Sequence, residues 1–157
     1  MSANPVFLVL GGSGGIGAAT VRRLTQRGWT VVATSRDTAR LADLTSATGA
    51  IPLVCDVLQP GSIEAAVEHV TSIHGRLDGA VSCVGSVLLK PAHLTTDADW
   101  DLTLALNATS AFRLVRTAAA WMSRNGGGSI VLNSSVAARR GLVYHEAIAA
   151  AKGAAEG

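Results

Sequence analysis

The sequence predicts a doubly wound α/β domain built on a parallel sheet, and three observations carry that prediction. Short apolar or β-branched runs recur at Val6–Leu10, Thr30–Thr34, Ile51–Cys55, Ala80–Val84 and Ile130–Leu132. Between them lie stretches with apolar residues at helical spacing: Gly15–Gln26, Asp37–Ala47, Ser62–Ile73 and a longer one over Asp97–Ser123. A glycine cluster follows the first run at once. Strands alternating with helices imply right-handed crossovers and hence parallel pairing. The runs lack polar alternation, as expected of strands covered by helices on both faces.

Local signals mark the boundaries. Thr96 with Asp99 three residues on forms a capping-box pattern, Asp37 can cap the helix that follows it, and Gly28, Gly49, Gly75 and Gly126–Gly128 end helices or open turns. At 157 residues there is room for one domain. A content of 48% hydrophobic and 15% charged residues supplies a core and excludes a disordered chain. The formal charge is only +2, and the basic residues are scattered singly or in pairs such as Arg22-Arg23 and Arg139-Arg140, which argues against nucleic acid as a partner. No apolar run is long enough to span a membrane and the start has no basic leader segment, so a soluble cytoplasmic protein is expected. Cys55 and Cys83 each follow an apolar run and read as buried, free thiols. His69, His74 and His93 have no partners at metal-ligand spacing, and no metal is expected.

The first strand runs into Gly11-Gly12-Ser13-Gly14-Gly15-Ile16-Gly17, after which Ala18-Ala19-Thr20-Val21 begins a helix. Glycines there permit a tight turn, close approach of backbone to a pyrophosphate, and close packing of helix on strand, while the helix N-terminus offers unpaired N–H groups. This is a nucleotide-binding loop in the context that gives such a motif its meaning. At the end of the second strand, where an NAD-preferring site places a carboxylate to accept from the ribose 2′-hydroxyl, stand Ser35 and Arg36. A guanidinium pairs with a 2′-phosphate and a serine hydroxyl can add a hydrogen bond, so NADP(H) is expected over NAD(H).

The spacing Gly-x-x-x-Gly-x-Gly at Gly11, Gly15 and Gly17, with Ser13 and Ile16 inside the loop, resembles the short-chain dehydrogenase/reductase family. Other landmarks follow in order. Asp56-Val57 looks like the pair that meets the adenine ring, and Ser82-Cys83-Val84-Gly85 occupies the place of the family's Asn-Asn-Ala-Gly turn, keeping only the glycine. Asn107 sits where the family has its active-site asparagine, and Ser129–Ser135 matches the fifth strand leading to the catalytic serine, Ser135. The resemblance implies a single Rossmann-type NAD(P)-binding domain over 1–157, with strand order 3-2-1-4-5. That order puts Cys55 and Cys83 about 14 Å apart at ~4.8 Å per strand, beyond the reach of a disulfide. Family members continue past the lysine helix to roughly 230 to 260 residues. The chain is therefore read as the N-terminal part of a longer domain, with the C-terminal part of the usual fold absent.

What the resemblance implies about chemistry is a hydride transfer between a small alcohol and a carbonyl compound. A tyrosine serves as general acid and base, a lysine four residues later lowers its pKa, and a serine holds the substrate oxygen. Lys152 is present, placed to bind the nicotinamide ribose with support from Asn107, but the position four residues before it is Ile148. The only tyrosine, Tyr144, stands eight residues before Lys152 and could serve only if the segment before Ala147 is irregular and folds back. His145, with Glu146 or Ser135 to orient it, is the other candidate for the proton. The loss of the tyrosine also leaves open a protein that binds NADP(H) without turnover. By the same resemblance, the long helix around Leu102–Met122, carrying Leu106, Phe112, Val115 and Trp121, is expected to pair with its equivalent in a dimer or tetramer.

Overall fold

A computed structural model describes residues 4–157. Five parallel strands, β1 (Val6–Leu10), β2 (Thr30–Ser35), β3 (Ile51–Val54), β4 (Gly79–Ser82) and β5 (Ser129–Leu132), lie in the order β3-β2-β1-β4-β5. The expected order is the observed one. Helices α1 (Gly15–Thr25) and α2 (Thr38–Thr48) cover one face, and α3 (Ser62–His74) and α5 (Ser110–Met122) the other. Alternation along β1 decides which residue serves which layer. Leu8 and Leu10 pack with Val32, Ala80, Val67 and Leu114 on one side, while Val9 packs with Val31, Ala33, Val21 and Leu41 on the other.

The helices begin and end where the local chemistry says. The Asp37 side chain accepts from the Arg40 N–H and caps α2. Thr96 and Asp99 cap α4 (Asp97–Leu104) reciprocally. Gly49 and Gly75 close α2 and α3 in the left-handed conformation.

Three expectations are corrected. The helix expected to run unbroken from Asp97 to Ser123 contains a π-helical turn, Ala105–Thr109, between α4 and α5. The extra residue re-aims the side chains of that turn and buries Asn107. Strands are not covered on both faces throughout: Ile51 and Val54 of β3 are exposed, because β3 is an edge strand and the layers pack on the centre of the sheet, and Val131 of β5 is exposed as well. Pro52 in β3 suits such an edge. Cys55 and Cys83 are free thiols, but only Cys55 is buried. Cys83 lies just past β4, where the sheet opens into a cleft, and is half-buried.

Candidate functional site

The glycine loop leaves β1 and is pinned to the neighbouring strand by the Gly12 N–H donating to the Thr34 carbonyl at 2.7 Å. A Cβ on Gly17 would lie 2.1 Å from the Gly11 carbonyl oxygen, so only glycine lets α1 come this close to the loop. Helix α1 has Gly14 at its N-cap position, with no side-chain cap and no acidic residue in its first turn. Its first N–H groups and the positive end of its dipole are thus left for an anion.

In front of this turn is a cleft of about 270 Å³, lined among others by Gly11, Ser35, Arg36, Asp56, Val57 and Gly85. Arg36 is exposed, and among the described residues its guanidinium has no ion pair. Ser35 is buried; its Oγ lies 2.6 Å from Ser13 Oγ and accepts from the Asp37 N–H at 3.0 Å. If Ser13 donates in that pair, the Ser35 proton stays available beside Arg36. Asp56 Oδ1 accepts from the Leu58 N–H, which fixes the turn after β3. The open glycine turn, the uncapped helix end and an unpaired cation at the end of β2 suit a phosphorylated dinucleotide.

A second recess of about 410 Å³ shares the wall Cys83–Ser86 with the first and adds Ile16, Asn107, Asn133, Ser135, Ile148 and Lys152. Asn107, 2% exposed, donates to the Ser86 hydroxyl (3.1 Å) and the Thr103 carbonyl (3.0 Å) and accepts from the Ser86 N–H (3.1 Å). It locks the turn after β4. Lys152 is 8% exposed, and its ammonium donates to the Asn133 carbonyl at 2.8 Å. Burial pushes its pKa down. A Cβ on Gly85 would stand 2.8 Å from Asn107 Oδ1 and 3.3 Å from Lys152 Nζ, so this glycine admits both groups to one spot. Ser135 Oγ accepts from the Ala137 N–H at 3.2 Å, leaving its own proton to donate.

Ile148 and Lys152, four residues apart on α6 (Glu146–Ala154), face the recess together. Tyr144 and His145 stand elsewhere. Tyr144 precedes α6 with φ +63°, is 52% exposed, and its carbonyl accepts from the Lys90 N–H. His145 lies where α6 begins, with Nδ1 2.7 Å from the Val143 carbonyl, and lines a separate recess with Arg139, Arg140 and Glu146. Sequence reading missed two partners, Ser86 and the Asn133 carbonyl. Ser86 directly follows Gly85 and offered a weak signal, but a backbone carbonyl offers none. Among the described residues no cluster of three or more His, Cys, Asp or Glu could hold a metal, and no helix is long and apolar enough to cross a membrane.

Comparison with known proteins places this geometry. A family model described as "Enoyl-(Acyl carrier protein) reductase" matches residues 11–157. The D-threitol dehydrogenase of Mycolicibacterium smegmatis is 35% identical over 152 residues, covering 94% of this chain and 58% of that protein. Among solved structures, a short-chain dehydrogenase from Streptomyces avermitilis superposes with a TM-score of 0.92 at 29% identity, over 98% of this chain and 58% of that one. A metagenomic short-chain oxidoreductase in complex with NADP gives 0.87 at 32% identity, over 97% and 72%. The chain thus spans little over half the length of the curated relatives it matches. With the glycine loop, the strand order and the two joined recesses in place, the chain belongs to the short-chain dehydrogenase/reductase family.

Proposed function

We propose that this chain is the cofactor-binding part of an NADP(H)-dependent oxidoreductase that interconverts a small alcohol and a carbonyl compound. The observation that carries the reading is the shared wall Cys83–Ser86. It joins the anion-ready loop and Arg36 on one side to Ser135 and Lys152 on the other. A dinucleotide laid along it spans both. When bound, the nicotinamide supplies or accepts hydride.

The chain's own residues do the rest. Gly11, Ser13, Gly15, Ile16 and Gly17 with the α1 N-terminus hold the pyrophosphate, Asp56 and Val57 flank the adenine, and Ser35 with Arg36 bind a 2′-phosphate. Cys83, Gly85 and Lys152 border the ribose and nicotinamide, with Asn107 fixing the turn they share. Ser135 donates to the substrate oxygen and stabilises charge that develops there. His145 or Tyr144 could handle the proton only if the segment 141–145 closed over Ser135. We place the protein in the cytoplasm as a homo-oligomer.

A second reading, NADP(H) binding without turnover, is favoured by one observation: Ile148, buried and lining the recess, stands four residues before Lys152, where the resemblance implies a tyrosine. Titration of the native protein with NADPH, followed by NADPH oxidation against a panel of carbonyl compounds, tests both readings. Binding with turnover supports the first and binding alone the second. No binding of either nicotinamide nucleotide removes both.

A further inference from the structure

The recess that holds Ile148 contains a buried charge with few partners. Among the described residues the Lys152 ammonium has one hydrogen-bond acceptor, the Asn133 carbonyl, and no ion pair. An ammonium carries three N–H bonds. Two therefore have no acceptor among the described residues, at a wall that also presents the Ser135 hydroxyl. One turn earlier on the same helix face, Ile148 is 2% exposed. It offers no proton.

We propose that Lys152 itself exchanges the proton with the substrate oxygen, acting as general acid in carbonyl reduction and, as the free amine, as general base in alcohol oxidation. The proposal rests on the oxidoreductase reading above. In reduction one N–H bond of the ammonium breaks as an O–H bond forms on the substrate oxygen. The carbonyl carbon gains its electron pair as hydride from the reduced nicotinamide, and the neutral amine regains a proton from water. Burial holds Lys152 below the ordinary lysine value, toward the range where an amine both gives and takes protons.

The elements packed on α6 add little charge. The turns Val136–Ala138 and Ala105–Thr109 carry no titratable side chain, and Arg139 and Arg140 follow the first. Helix α4 carries Asp97, Asp99 and Asp101, of which Asp99 is bonded to Lys90. On and just beyond α6 are Glu146 and Glu156, the latter bonded to Arg139 and Ser134. None of these carboxylates forms an ion pair with Lys152, and desolvation sets its proton affinity.

The test uses the native protein and two readouts. The first needs neither cofactor nor substrate. In protein carrying ¹³C-lysine, the ε-carbon signal that disappears in Lys152→Arg should titrate below the ordinary lysine value. The second is kinetic. With NADPH the reduction rate should fall, and with NADP and alcohol the oxidation rate should rise, as pH increases through that same midpoint. Arginine keeps the charge but not a transferable proton, so Lys152→Arg, assayed at NADPH concentrations that saturate it, should lose about 10²- to 10⁴-fold in turnover. If that variant folds poorly, the wild-type midpoint and pH limb still decide the matter by coinciding or not.

A rate limb displaced from the Lys152 titration overturns the proposal, as does near-wild-type turnover by Lys152→Arg. Loss of turnover in His145→Ala with NADPH binding intact overturns it too. Ile148→Tyr separates this proposal from the reading beneath it. If that variant reduces carbonyls and wild type does not, the oxidoreductase reading stands and Lys152 is not the donor. If both bind NADPH and neither reduces anything, the oxidoreductase reading falls, and the proposal with it.

Discussion

Arg36 follows β2 on the surface, beside a serine whose hydroxyl is held by Ser13 and the Asp37 N–H, so one substitution can isolate its charge. Arg36→Asp exchanges attraction for repulsion at the 2′-phosphate. Two unit charges at ~4 Å interact by about 1 kcal/mol in water and ~4 kcal/mol near a protein surface. NADPH affinity should therefore fall at least tenfold more than NADH affinity, at about 1.4 kcal/mol per tenfold. Fluorescence titration with the two nucleotides checks this, and an equal loss for both means that Arg36 does not read the 2′ position. At this scale the sequence was informative wherever the chemistry is local. The Gly11–Gly17 spacing is such a case, since its reason is contact between residues six apart. It was uninformative where a partner is backbone. Nothing in the letter at position 133 says that its carbonyl, not Asn107, takes the Lys152 proton donor.

Helix α4 shows what capping contributes at the scale of an element. Thr96 Oγ1 accepts from the Asp99 N–H, and Asp99 Oδ2 accepts from the Thr96 N–H and hydroxyl and from Lys90 Nζ at 2.6 Å. Lys90 first, then these Thr96 donors, holds the Asp99 carboxyl at about 2, below the ordinary 3.8. A lowered folded-state pKa contributes stability that is complete above the unfolded value and lost as pH falls toward the folded one. Denaturation midpoints of wild type and Asp99→Asn should thus differ above pH 4 and converge as pH falls toward 2. Thr96→Ala should cost about 1 kcal/mol. A gap between wild type and Asp99→Asn that persists unchanged at pH 2 would show that the carboxylate charge is not what matters. This cap was legible because both partners lie within one turn of chain. The π-helical turn just beyond α4 was not, because what holds Asn107 in place is Ser86, 21 residues away and across the cleft.

At the scale of the whole molecule, parallel pairing followed from the alternation of strands and helices and the strand order from the family resemblance, whereas the exposure of β3 followed from neither. An apolar run records what a strand can bury, not whether a neighbour is there to cover it. The same limit applies to the long helix. Of the residues expected on its outward face, Leu106 and Trp121 pack against the chain's own core and Val115 is half-buried, while Phe112 is 61% exposed. Trp100 and Leu102 on α4 are exposed as well. If these three side chains meet their equivalents in a second subunit, association removes apolar area that a monomer leaves in water, at about 25 cal/mol per Å². Sedimentation of the native protein at micromolar concentration should then give a dimer or tetramer. Phe112→Asp with Leu102→Asp should shift it toward monomer without loss of NADPH binding, because neither residue lines the cleft or the recess beside it. A wild type that sediments as a clean monomer, or a double variant with unchanged mass, would mean that this face is not the interface.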